Sequence, residues 1–345
     1  MYHFDSDYME GAHPAILERM AAANFDKHSG YGCDEICDAA RRLIREACGA
    51  PEAEIHLLTG GTQTNATMIK AMLRPYEGVV AADTGHINVH EAGAIEATGH
   101  KVLPLPHTEG KISADEVAAY IDTQRADGNC DHMVWPGMVY ISQPTEYGTL
   151  YSLAELESLS RVCRSRGVPL YMDGARLAYA LAAPACDMTL RDVARLCDVF
   201  YIGGTKCGAL LGEAVVIPRA GTIPHLFTTI KQQGALLAKG WVLGLQFGTL
   251  FTGNLYLDIA RRAVEAARRL AEGLAAAGYA TAFAPVTNQI FLRLDAARLQ
   301  RLSAIATFSP WEQHADGTQT VRLATSWATR MEEIEAFLKE LAEYR

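Results

Sequence analysis

From Ile55 to Ile217 the chain alternates short β-rich apolar runs with helix-like stretches, and that alternation admits few folds. A strand, a helix and a second strand in succession close as a crossover. Repeated, they build a mostly parallel sheet with helices on its faces. Seven runs read as strands: Ile55–Leu58, Gly78–Ala82, Lys101–Leu105, Met138–Ile141, Pro169–Met172, Val199–Ile202 and Ala214–Ile217. Asn65–Met72, His90–Ala97, Ser113–Gln124 and Leu153–Arg166 carry helical patterns between them. Ser152 and Glu155 give the last of these a capping box. After Pro218 the texture changes. Ile230–Leu250 and Leu255–Ala277 read as long helices, followed by strand-like Asn288–Leu294, a helix near Arg298–Ala306, strand-like Thr320–Ala324 and a closing helix Met331–Tyr344. The expected fold is therefore α/β: a mostly parallel seven-stranded sheet flanked by helices, with a smaller C-terminal α+β domain. The boundary is expected near Gly253, giving a large domain over residues 1–252 and a small one over 253–345.

Composition narrows the function. The 345 residues are 49% hydrophobic, enough for a sizeable core, and carry a formal net charge of -9. An acidic chain with no cluster of Lys or Arg is not expected to bind nucleic acid or an anionic membrane. No stretch reads as a signal peptide or a membrane span. None of the eight cysteines forms a Cys-x-x-Cys pair, so they read as reduced, buried thiols and a cytoplasmic location is expected.

In an open α/β sheet, ligands collect beyond the carboxyl ends of the strands. Three polar clusters fall there. Thr59-Gly60-Gly61-Thr62-Gln63-Thr64-Asn65 joins a strand to a helix start, where free N–H groups and the positive dipole end suit a phosphate. Alone, it reads better as a plain strand-to-helix turn with Thr caps. Asp173 closes an apolar strand within Met172-Asp173-Gly174-Ala175-Arg176. A buried carboxylate needs a partner, either Arg176 or a protonated ring nitrogen. Lys206 stands among small uncharged residues in Gly203-Gly204-Thr205-Lys206-Cys207-Gly208. Desolvation there would make its amine a nucleophile, although most lysines are solvated surface groups. Each cluster is weak by itself. An anion cup, a strand-end Asp and a strand-end Lys together are what pyridoxal 5'-phosphate requires for its phosphate, its pyridine nitrogen and its aldehyde.

The residues also carry a family resemblance. Phe4-Asp5-Ser6-Asp7, Gly11-Ala12-His13-Pro14, Tyr31-Gly32-Cys33-Asp34, Gly60-Gly61-Thr62-Gln63-Thr64-Asn65, His86, Asp173-Gly174-Ala175-Arg176, Thr205-Lys206 and Val321-Arg322-Leu323-Ala324-Thr325 resemble the threonine aldolase/β-eliminating lyase group. These are fold-type-I, aspartate-aminotransferase-like pyridoxal-phosphate enzymes.

The resemblance implies a Schiff base on Lys206, Asp173 at the pyridine nitrogen, and Gly61, Thr62 and Gln63 at the phosphate. It implies His86 stacked on the cofactor ring near the substrate hydroxyl. Arg176, Ser6 and Arg322 match groups that hold the cofactor or the substrate carboxylate. Tyr31 matches a residue supplied across a dimer interface, so a homo-oligomer (dimer or tetramer) with shared sites is expected. The implied reaction is aldol cleavage of β-hydroxy-α-amino acids to glycine and an aldehyde. β-Elimination and transamination are the nearest alternatives, and a non-catalytic phosphate-binding protein is a remote one. No metal is expected: His86 and His90 form an i, i+4 pair without a third ligand. Two departures stand out. Ser142-Gln143-Pro144-Thr145-Glu146-Tyr147 replaces the group's Glu-Asn-Thr and following His. Lys231-Gln232-Gln233-Gly234 lacks a neighbouring Arg, for which Lys231 or Lys239 could substitute.

Overall fold

The computed structural model describes residues 1–343. The seven expected strands form one sheet, in the order Glu54–Leu58, Glu213–Ile217, Val199–Gly203, Leu170–Asp173, Trp135–Ser142, Glu77–Ala82, Val102–Leu105. Glu213–Ile217 runs antiparallel to both its neighbours, and every other pairing inside this sheet is parallel. The apolar runs are buried on both faces, as helix-covered parallel strands must be. The two-residue period divides them: Val80, Ala82 and Ile141 enter one core, while Val79, Ala81 and Tyr140 enter the opposite one.

This topology sets the site. Leu58, Ser142, Asp173 and Gly203 end their strands at one edge of the sheet, and Glu213 begins its strand there. Ser142 pairs directly with Asp173, and Glu213 pairs with both Leu58 and Gly203.

The smaller C-terminal part is a three-stranded antiparallel sheet, Ser309–Gln313, Gln319–Ala324 and Gln289–Leu294 in spatial order. Its core joins Leu270, Leu274, Phe337 and, from the start of the chain, Phe4. Tyr2–His3 pairs in parallel with Ala306–Thr307, and the Phe4 carbonyl accepts from Ala324 N–H at 2.9 Å.

Several expected elements differ. The helix expected over His90–Ala97 is two short turns, His86–Val89 and Ala94–Ala97, because Ala92 and Gly93 adopt positive φ between them. The expected Ile230–Leu250 helix is divided into Leu226–Gln232 and Trp241–Leu250. Gly234 turns left-handed at φ 67°, and Gly240 lies so near Gly32 that a Cβ would meet its nitrogen at 2.5 Å. The expected Arg298–Ala306 helix occupies Ala296–Ser303, capped by Asp295, which frees Ala306 for its strand. The closing helix spans Met331–Glu343, and Tyr344 lies outside the described residues. Among the described residues, no helix is long and apolar enough to cross a membrane.

Candidate active site

A cavity of about 300 Å³ opens at the strand ends, lined by Gly61, Thr62, His86, Asp173, Arg176 and Lys206 together with Tyr8, Ser142, Glu146, Tyr201, Thr205 and Glu213. Two glycines let its loops approach. A Cβ on Gly174 would meet the Tyr201 carbonyl at 1.9 Å, and one on Gly203 would meet the Ala175 carbonyl at 2.2 Å. The loops carrying Asp173 and Lys206 are thereby held against each other.

Asp173 is buried and hydrogen-bonded through both oxygens. Its Oδ2 accepts from the Tyr140 hydroxyl at 2.6 Å and the Asn65 amide at 3.0 Å, and its Oδ1 accepts from Ala175 N–H at 3.0 Å. Burial works against its charge, but the His86 ring and these donors outweigh it, holding the carboxyl below the ordinary value. Arg176 does not pair with it. The Arg176 guanidinium grips the fully buried Asp7 instead, Nε at 2.6 Å and Nη2 at 2.9 Å. The Asn288 amide adds a third bond to Asp7 at 2.9 Å. Burial alone would raise the Asp7 carboxyl, yet Arg176 brings it down to about 2.

Lys206 follows on the neighbouring loop. Burial lowers its amine from the ordinary value, and the positive Arg176 adds to the effect. Among the described residues, no carboxylate stands within ion-pair distance of its Nζ. The Tyr8 ring centroid lies 5.9 Å from that nitrogen.

His86 begins its short turn at the cavity wall. Its Nδ1 meets Glu91 Oε1 at 2.8 Å, and the Asn65 amide reaches the same oxygen at 2.8 Å. Asn65 thus joins Glu91 to Asp173, while its own carbonyl accepts from Tyr171 at 2.9 Å. With Nδ1 occupied, Nε2 is the nitrogen available to a ligand. The anion cup is open: the Gly61–Met72 helix has Gly60 at its N-cap without a side-chain cap, and the first intrahelical bond comes from Thr64 N–H.

The other expected residues stand apart from this lining. The Gln63 side-chain carbonyl turns back onto the Thr59 hydroxyl and N–H, leaving its backbone N–H at the cup. Ser6 is half-buried beside Asp7. Arg322 is buried, with its guanidinium carbon 5.2 Å from the Trp311 ring centroid and one nitrogen on the Asp5 carbonyl at 3.2 Å. Burial, then the charge of Arg176, lowers it to about 10. Its Nε is buried without a partner. Tyr31 is 45% exposed and lines a different cleft, with Lys231 Nζ 4.5 Å from its ring centroid. Lys231 therefore stands with Tyr31, outside this chain's own cavity.

Sequence reasoning missed five polar groups here: Asp7, Asn65, Glu91, Glu146 and Glu213. Glu146 lines the cavity, and its Oε1 accepts from the Ser142 hydroxyl at 2.6 Å and His86 N–H at 2.9 Å. Burial raises its carboxyl, and the nearby Asp173 charge raises it further. Gln143-Pro144 is a cis peptide bond just before it. Asp7, Asn65 and Glu146 stood in motifs already singled out, and their polarity next to apolar runs was the one available signal.

Three features accept pyridoxal phosphate: an uncapped helix start for the phosphate, an ionised buried carboxylate without a cationic side-chain partner for the ring nitrogen, and a lysine without a counter-ion for the aldehyde. Fold and site together define a fold-type-I pyridoxal-phosphate enzyme. The beta-eliminating lyase family matches residues 3–297, and the chain belongs to that family. It is 29% identical to the low specificity L-threonine aldolase of Pseudomonas aeruginosa, over 98% of this chain and 96% of the other. The solved structure of Leishmania major threonine aldolase superposes with TM-score 0.95 at 43% identity, covering 99% of each chain. Thermus thermophilus aspartate aminotransferase shares the fold, with TM-score 0.72 at 17% identity over 100% of this chain and 92% of that one.

Proposed function

We propose that the protein cleaves β-hydroxy-α-amino acids of the L-threonine and L-allo-threonine type to glycine and an aldehyde. The observation that carries this reading is the His86 imidazole, held through Nδ1 by Glu91 at 2.8 Å in the cavity that also contains Lys206 and Asp173. The similarity to threonine aldolases supports it. Bound pyridoxal phosphate supplies an electron sink for the bond broken at Cα.

The residues divide the remaining work. Lys206 would hold the cofactor covalently through its amine. Gly61, Thr62 and Gln63 N–H would hold its phosphate. Asp173, ionised, would keep its ring nitrogen protonated. Arg322, with Ser6, holds the substrate carboxylate, since a guanidinium fork matches its two oxygens; Arg176, whose Nε and Nη2 are taken by Asp7, adds its positive charge to the site. His86 Nε2, or a water it positions, takes the β-hydroxyl proton. The Cα–Cβ bond then opens, the aldehyde leaves, and a proton returned to Cα completes glycine. Tyr31 reaches a partner's site in a dimer or tetramer, in keeping with its exposure away from its own cavity. We place the enzyme in the cytoplasm, in keeping with eight cysteines that stand as free thiols.

The test incubates cofactor-loaded protein with L-threonine, L-allo-threonine and β-phenylserine and identifies products by mass. Glycine with the matching aldehyde is expected. Ammonia with an oxo acid would assign β-elimination instead. Lys206→Ala should lose the covalent adduct with pyridoxal phosphate, read from the protein's mass after borohydride reduction.

A further inference from the structure

Two carboxyls of the cavity, Glu146 and Glu213, have no part in that chemistry, and Glu213 is the one next to the anion cup. Glu213 is 3% exposed and lines the cavity beside Gly61, Thr62, Thr205 and Lys206. The sheet register fixes its position. On one side it pairs with Leu58, the residue from which the chain runs through Thr59 and Gly60 into the anion cup. On the other it pairs with Gly203, from which the chain runs through Gly204 and Thr205 to Lys206. It stands between the phosphate loop and the lysine loop.

Support for a negative charge there is thin. Its Oε2 accepts from Gly204 N–H at 3.2 Å, a donor shared with the Gly212 carbonyl at 2.9 Å, and the Thr205 side chain adds to this. The neighbouring loops bring Lys206 and Asp173. The adjacent strand brings the Tyr201 hydroxyl, the strand beyond it Tyr171, and the Leu255–Ala276 helix Tyr256. Leu58 and Phe247, packed around the same loops, bring no charge. Lys206 is not in ion-pair contact with it. Burial pushes the carboxyl up to about 8. An ionised carboxylate next to a phosphate would repel it, whereas a neutral acid offers a donor.

We propose that Glu213 is a neutral carboxylic acid whose O–H donates a hydrogen bond to the phosphate of the bound cofactor. Ionising Glu213 then weakens the hold on the phosphate and leaves the bond to Lys206 unaffected. This rests on the cofactor reading above.

The experiment titrates wild-type apoprotein with pyridoxal phosphate and with pyridoxal, which lacks the phosphate, from neutral to alkaline pH, reading the dissociation constant by absorbance. Glu213→Gln, near-isosteric and always neutral, is measured alongside. Affinity for pyridoxal phosphate should fall more steeply with pH than affinity for pyridoxal, by up to about tenfold per pH unit. Glu213→Gln should remove that difference and bind pyridoxal phosphate within a few-fold of wild type at neutral pH. Equal pH dependence for the two ligands in wild type would overturn the proposal without reference to any variant. Markedly tighter neutral-pH binding by Glu213→Gln would also overturn it, by showing a charged carboxylate. A wild-type protein that binds neither ligand would sink the cofactor reading instead.

Discussion

At the scale of single residues, the buried Asp7–Arg176 pair sets the electrostatics around Lys206. Removing one partner strands the other as an uncompensated charge, so Asp7→Ala should cost about 3–5 kcal/mol in urea unfolding at neutral pH. The pH dependence has a definite sign. The Asp7 carboxyl titrates near 3.8 when unfolded and near 2 when folded. Its ionisation stabilises the fold fully above that interval, and the contribution drains as pH falls from 3.8 to 2. It amounts to about 2 kcal/mol. Unfolding series at stepped acid pH should show this loss in wild type and lack it in Asp7→Asn. Asn65 offers a second check. Asn65→Leu removes a donor from both Asp173 and Glu91, and each acceptor left short costs about 1–3 kcal/mol. Cofactor affinity should fall with stability, measured by titration and thermal melt. Asp173 and Lys206 were legible in the sequence as cavity residues because Asp173 ends an apolar strand and Lys206 follows another within a run of small residues. Asp7 was not, because its partner lies 169 positions away and only the folded chain joins them. Glu213 was hidden for a plainer reason: the expected strand began one residue later, at Ala214, which made the glutamate look like a polar flank.

Among the elements, the strands were readable because runs such as Val199–Gly203 are buried along their whole length. The helical interruptions were not, since they depend on contacts between distant segments. Gly240 breaks a helical pattern because Gly32 packs against it, and no local propensity records that approach. The same kind of contact fixes the two loops of the site. Gly203→Ala places a methyl group into the Ala175 carbonyl, backbone against backbone, so neither side can yield cheaply. A loss of at least about 3 kcal/mol is expected from such overpacking. Calorimetry would measure it, and weakened cofactor binding should accompany it because Lys206 sits three residues on. The capping box at Ser152 and Glu155 formed as the sequence predicted. Ser152→Ala should cost about 1 kcal/mol and leave cofactor binding unchanged.

Across the whole molecule, the cavity depends on parts of the chain that are far apart in sequence. Phe4 lies in the core of the C-terminal sheet, and Tyr2–His3 is paired to Ala306–Thr307. Asn288 holds Asp7 with one amide hydrogen bond and the Thr325 carbonyl with another, each 2.9 Å long. Deleting residues 1–7 should therefore lower the melting temperature and weaken cofactor binding together, although the deleted residues precede the large sheet. The ribosome makes Asp7 long before Asn288, 281 positions further on. The amide that helps to hold the counter-ion of Arg176 therefore follows every strand of the large sheet, and a nascent chain stalled between Ile217 and Asn288 would have that sheet complete and still lack this bond.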